Sequence, residues 1–105
     1  PEWNNMVSVG NEIDQIADAV VRTWGLCAQT DVVIEECAEL IVALRHHGRG
    51  KCTADDVVSE IADVIIVAHQ IAHTFTAEFG GNVQSAIDFK LKRLSRKIER
   101  ENDRD

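Results

Sequence analysis

Tyrosine is absent from this 105-residue chain, proline occurs once and glycine six times. Few positions are therefore available to interrupt regular structure. Cysteine is also scarce: Cys27, Cys37 and Cys52 have neither the count nor the spacing of a disulfide framework or a zinc site. Cys37 falls within an apolar helical run, which predicts a small core residue. There is no long uninterrupted apolar stretch. Val57 to Ala72 comes nearest, but Ser59, Glu60, Asp63 and His69 break it, so no membrane span is expected. No secretory leader is visible, although Pro1 is not necessarily the natural start, and the cytoplasm is the expected compartment. Positive charge is in deficit: the net charge is −7, which argues against general nucleic-acid binding.

Apolar residues make up 45% of the chain, enough for one globular domain over residues 1–105 with a modest core. Their spacing is helical. Met6, Val9, Ile13, Ile16, Ala17, Val20 and Trp24 recur at three- and four-residue intervals, predicting an amphipathic helix over about 6–24 that Gly25 ends. After a connector over 26–29, Thr30 or Asp31 is placed to cap a second helix over about 31–47. Its apolar side chains cover nearly the whole circumference, so deep burial is expected. Gly48 stops it, and Thr53-Ala54-Asp55-Asp56 reads as a near capping box opening a third helix to about Phe79. Gly80 and Gly81 break the pattern. Asn82 then caps a fourth helix whose seam is Val83, Ile87, Leu91, Leu94 and Ile98. The expected fold is all-α, a four-helix bundle protomer. Helices two and three have more apolar circumference than such a protomer can cover, which predicts association into a homodimer or a dimer of dimers.

Four acidic residues stand out against this background. Glu36 with Glu39, and Glu60 with Asp63, are each spaced i, i+3, which sets two carboxylates on one helix face. Glu36 and Glu39 lie inside the apolar arc of their helix, where a solvated charge run does not belong. Folding the hairpin antiparallel about Gly48-Arg49-Gly50 brings 39 opposite 60 and 36 opposite 63, so all four acids meet at one level. Four carboxylates between apolar helices repel one another unless cations hold them, and hard oxygen ligands suit Mg²⁺, with Mn²⁺ able to substitute. Arg45 is the sole Lys or Arg between Asp31 and His47, too little to neutralise them internally. Seven of the eleven basic residues lie between Lys90 and Arg104. An acidic centre with a basic C-terminal helix suits a metal-bound anionic ligand.

Glu35-Glu36-x-x-Glu39, followed after twenty residues by Glu60-x-x-Asp63, resembles the signature of the MazG-like all-α nucleoside triphosphate pyrophosphohydrolases. The segments Glu36-Cys37-Ala38-Glu39-Leu40-Ile41 and Lys90-Leu91-Lys92-Arg93-Leu94 extend the likeness, which covers about residues 31–97. The resemblance implies Mg²⁺ on Glu36, Glu39, Glu60 and Asp63, and hydrolysis of a nucleoside triphosphate, first a dNTP, to the monophosphate and pyrophosphate as house-cleaning of the nucleotide pool. Rival readings are a phosphoribosyl-ATP pyrophosphatase of histidine synthesis and a carboxylate-bridged metal-binding bundle without activity. The second would usually add a Glu-x-x-His motif, and none lies near the acidic site.

Several residues admit two readings. Glu35 either binds a further metal or orients the attacking water, or it is an exposed helix charge. Lys90, Arg93 and Lys97 line up beside the seam of the fourth helix, either to hold phosphate oxygens or as a solvated face. Trp24 is first of all a core residue and secondarily a base contact, as in some relatives. Asp88 stands where many relatives have Asn. His69 and His73 have the i, i+4 spacing of a metal pair but point away from Glu60 and Asp63, so they are expected to be exposed or satisfied within the protein. His46 and His47 suit the negative end of the second helix.

Overall fold

Four helices in chain order make up the secondary structure of this computed structural model: α1 (Glu2–Trp24), α2 (Leu26–Gly48), α3 (Ala54–Phe79) and α4 (Val83–Asn102). The backbone is described for residues 2–104 and the side chains for residues 10–104, so the expected core positions Met6 and Val9 lie outside the described side chains. The fold is all-α, with no strand among the described residues.

Local chemistry sets the boundaries. Thr53 Oγ1 accepts from Asp56 N at 3.2 Å while Asp56 Oδ2 accepts from Thr53 N at 2.9 Å, a complete capping box that starts α3. Gly80 closes α3 in the left-handed region at φ 70°, and its N–H bonds back into the last turn. Asn82 Oδ1 accepts from Ser85 N at 2.9 Å and starts α4. At the other corner the expected connector is absent. α2 begins at Leu26, because Gly25 at φ 90° turns the chain within one residue. Thr30 is inside the helix, its hydroxyl donating to the Leu26 carbonyl at 3.0 Å, so neither Thr30 nor Asp31 is a cap.

α1, α2 and α3 pack against one another, whereas α4 makes no more than glancing contact with them. The core is correspondingly thin. Among the described residues the buried apolar side chains are Ile13, Ala17 and Val67. The expectation of a deeply buried α2 is overturned: Ile34 and Ile41 are 61% and 62% exposed, and Cys37 is exposed rather than a core residue. Trp24, expected first in the core, is 70% exposed. The α4 seam is uncovered as well, with Leu91 58% exposed. The physical reason is that three helices cannot enclose all this apolar surface. The radius of gyration is 16.8 Å, against about 13 Å for a compact domain of this length. The accessible surface is 8302 Å², against about 5,900 Å² for a folded monomer of this mass.

α3 is the one described helix long and apolar enough, by length and a mean hydropathy of 1.2 over its best window, to cross a membrane. Composition alone sets that measure, and the core helix of a bundle meets it equally.

Candidate functional site

Helices α2 and α3 run side by side from the turn at Arg49–Thr53. The turn is short because backbone bonds fold it back onto α2: Gly50 N donates to the His47 carbonyl at 3.0 Å and Lys51 N to the His46 carbonyl at 2.8 Å. Cys52 Sγ adds a bond to the Ala43 carbonyl at 3.4 Å. These contacts fix the register of α3 against α2, and the register brings the acids together. Glu36, Glu60 and Asp63 each present a carboxylate oxygen within 4.8 Å of the others. Glu39 completes the set: Glu36 lies within hydrogen-bonding reach of Asp63, and Glu60 within reach of Glu39. The pairing of 36 with 63 and 39 with 60 is the one the equal sums of the sequence numbers require.

The electrostatics follow from that crowding. Glu36 and Glu60 are both raised above the ordinary carboxylate range, first by partial removal from water and then by the neighbouring acids. For Glu36 the neighbours are Glu39, Asp63 and Glu60; for Glu60 they are Glu39 and Asp63. As ionised carboxylates, Glu36 Oε2 and Glu60 Oε2 have no hydrogen-bond partner although both atoms are shielded from solvent. No Lys or Arg forms an ion pair with the four acids among the described residues. Orphaned oxygens, an all-oxygen donor set and unbalanced negative charge fit a hard divalent cation. Glu36, Glu39, Glu60 and Asp63 would hold it.

The remaining expected residues are placed differently. Glu35 is exposed and precedes Glu36 on α2. Lys90, Arg93 and Lys97 border one hollow on α4 together with Leu94 and Arg100, and none of the four acids lines it. Within one chain the basic stripe and the acidic cluster are therefore separate. Trp24 sits at the α1–α2 corner, while Glu36 comes ten residues into α2 from Leu26, about 15 Å along the axis at 1.5 Å per residue. Asp88 accepts from Gln84 Nε2 at 3.0 Å. His69 and His73 are satisfied by the protein, pairing with Asp14 and Asp18 on α1.

Gln29 is a residue the sequence did not single out. It is 1% exposed, and its side-chain oxygen and nitrogen both lack a partner. Assigned to a connector, it gave no signal. Only the continuous helix from Leu26 turns it inward.

No family model, no curated protein and no solved structure matches this chain. The likeness to MazG-like enzymes thus rests on the acidic signature and the α4 segment alone.

Proposed function

We propose that the chain is a divalent-cation-dependent nucleoside triphosphate pyrophosphohydrolase of the MazG-like kind, acting in the cytoplasm on dNTPs. The observation that carries the reading is the meeting of Glu36, Glu60 and Asp63, with Glu39 beside them, around carboxylate oxygens that have no partner of their own. Mg²⁺ held there would supply positive charge to the α-phosphate and acidify a water.

The chain's own groups have three tasks. Glu36, Glu39, Glu60 and Asp63 would hold the cation and, through it, set where the α-phosphate lies relative to the helices. A carboxylate of the site takes the proton that the nucleophile loses, and Glu35 would orient the water. Lys90, Arg93 and Lys97 neutralise the β- and γ-phosphates, which leave as pyrophosphate. That last task needs α4 to be seated, and the partner proposed for its open seam is a second copy of this chain. What supports the second copy is the uncovered surface, about 2,400 Å² per chain beyond the monomer expectation, or about 4,800 Å² for two chains, which lies in the range of obligate interfaces.

The products test the reading. Incubation with each dNTP and Mg²⁺ is expected to yield the deoxynucleoside monophosphate and pyrophosphate in one step, with phosphoribosyl-ATP incubated separately as the rival substrate. Diphosphate as the first product refutes the mechanism. Activity confined to phosphoribosyl-ATP transfers the chain to histidine synthesis, and cation binding without any product leaves an inert metal-binding bundle.

A further inference from the structure

A groove of about 450 Å³ opens between α2 and α3 on the turn side of the acidic cluster, within the size range of small-molecule sites. Glu39 and Glu60 form one end of it, so it is continuous with the proposed catalytic centre. Val42 and Ala43 supply an apolar wall, and His46, Asp56, Ser59 and Cys52 border it toward the turn. His46 lies seven residues beyond Glu39 on α2, about 10 Å along the axis. That length suits a sugar and base extending from a phosphate held at the carboxylates.

Asp56 supplies the far end with a fixed acceptor. Asp56 Oδ2 accepts from Thr53 N at 2.9 Å and from Thr53 Oγ1 at 2.9 Å. These bonds, the backbone one foremost, hold Asp56 below the usual carboxylate range, so it stays an ionised acceptor at neutral pH. Neither bond uses Oδ1. The Cys52 Sγ bond to the Ala43 carbonyl ties the turn to α2, so the groove ends on a fixed wall. A fixed carboxylate oxygen discriminates among bases by their N–H donors, accepting from the exocyclic amino groups of cytosine and adenine, whereas thymine and uracil carry carbonyl oxygens at the corresponding ring positions. The His46 ring, beside an apolar wall, offers a face for stacking.

We infer that this groove is the nucleobase subsite, with His46 stacking on the base and Asp56 accepting from its amino group, so that amino-bearing bases are preferred over thymine and uracil. The inference rests on the pyrophosphohydrolase reading, and its test separates the two. With the full chain and Mg²⁺, dCTP or dATP is expected to exceed dTTP and dUTP in kcat/KM by roughly 10–100-fold, the worth of a hydrogen bond to a charged group. His46→Ala should raise KM about tenfold for every base. Asp56→Asn should narrow the gap between amino and carbonyl bases, with circular dichroism confirming that α3 is retained. Independently of turnover, dCMP is expected to shift the His46 ring signals in NMR more than dTMP does. If dNTPs are hydrolysed without base preference and His46→Ala leaves KM unmoved, the subsite is wrong and the activity stands. If no dNTP is hydrolysed, the activity reading fails, and the dCMP titration alone judges the groove: no shift at His46 overturns it. If His46→Ala lowers the mass in sedimentation and leaves KM unmoved, the groove is an interface between copies and the inference falls.

Discussion

His69 Nε2 on α3 lies 3.0 Å from Asp14 Oδ1 on α1, a contact spanning 55 residues of sequence. It is reinforced by His73, whose Nδ1 is 3.5 Å from the same oxygen and whose Nε2 is 2.9 Å from Asp18 Oδ1. Gly10 makes the approach possible: a Cβ there would stand 3.2 Å from His69 Cε1. Two i, i+4 pairs on facing helices thus fasten α1 to α3 beside the buried Ile13, Ala17 and Val67.

This fastening predicts a coupling between positions 10 and 69. His69→Ala should cost about 0.5–1 kcal/mol, since the pair is partly exposed. Gly10→Ala gains helix propensity worth up to ~1 kcal/mol but displaces the imidazole. Its benefit should therefore be smaller in the natural chain than in the His69→Ala background. Urea unfolding of the four species measures the difference, and strict additivity would contradict the contact.

Gln29 predicts a stabilising substitution. A buried amide without partners costs on the order of 1–3 kcal/mol, and Gln29→Met keeps the shape while removing the polar atoms. Thermal unfolding should show a higher Tm for the variant. A lower Tm would mean that the amide is satisfied in the assembled protein.

The acidic cluster predicts a pH dependence of definite sign. Because Glu36 and Glu60 are raised in the folded chain, folding takes up protons between the ordinary carboxylate range and those raised values. Stability without divalent cations therefore falls as pH climbs through that interval, with the full penalty above it and none below. Asp56 has the opposite sign, but its lowered value confines its loss to more acid solution. In chelator, Tm should be higher near pH ~5 than at ~7.5, and Mg²⁺ should raise it at the higher pH. Glu60→Gln should flatten the chelator profile, raise Tm at neutral pH and reduce turnover by at least ~10²-fold, since even indirect disturbance of metal ligands costs 10–100-fold. Near-normal turnover in Glu60→Gln or Glu39→Gln would contradict the four-carboxylate site.

The uncovered surface predicts assembly. Sedimentation at micromolar concentration should give at least a dimer. A charge placed at an exposed apolar position on α4, away from the helices that carry the acids, as in Leu91→Glu or Ile98→Glu, should lower the mass. A monomeric natural chain under these conditions would refute the second copy.

Much of this is legible in the amino-acid sequence. The capping box at Thr53 and Asp56, the Asn82 cap and the register of Glu39 with Glu60 follow from local chemistry and from arithmetic about a turn. What failed was burial. A helical wheel reports how much surface must eventually leave water and does not say which chain will cover it, so Cys37, Trp24 and the α4 seam were placed in a core that one chain does not build. The α1–α2 corner departs from expectation for another reason. Thr30 looked like a cap, but its hydroxyl serves its own helix, and the bend needs only the positive φ of Gly25. The pairing of His69 and His73 with α1 was half visible. Their spacing was clear, while their acidic partners lie 55 residues away.

The register of α2 against α3 has a consequence for how this chain can change length. The acids meet because each helix turns by about 100° per residue between the turn and the carboxylates. One residue inserted between Leu40 and His47, or between Val57 and Ser59, swings an acidic pair a quarter-circle or more away from its mate. Insertions among Arg49, Gly50 and Lys51 leave both helices in phase. Natural variation in length should therefore collect in that turn, and the helical stretches beside it should tolerate none.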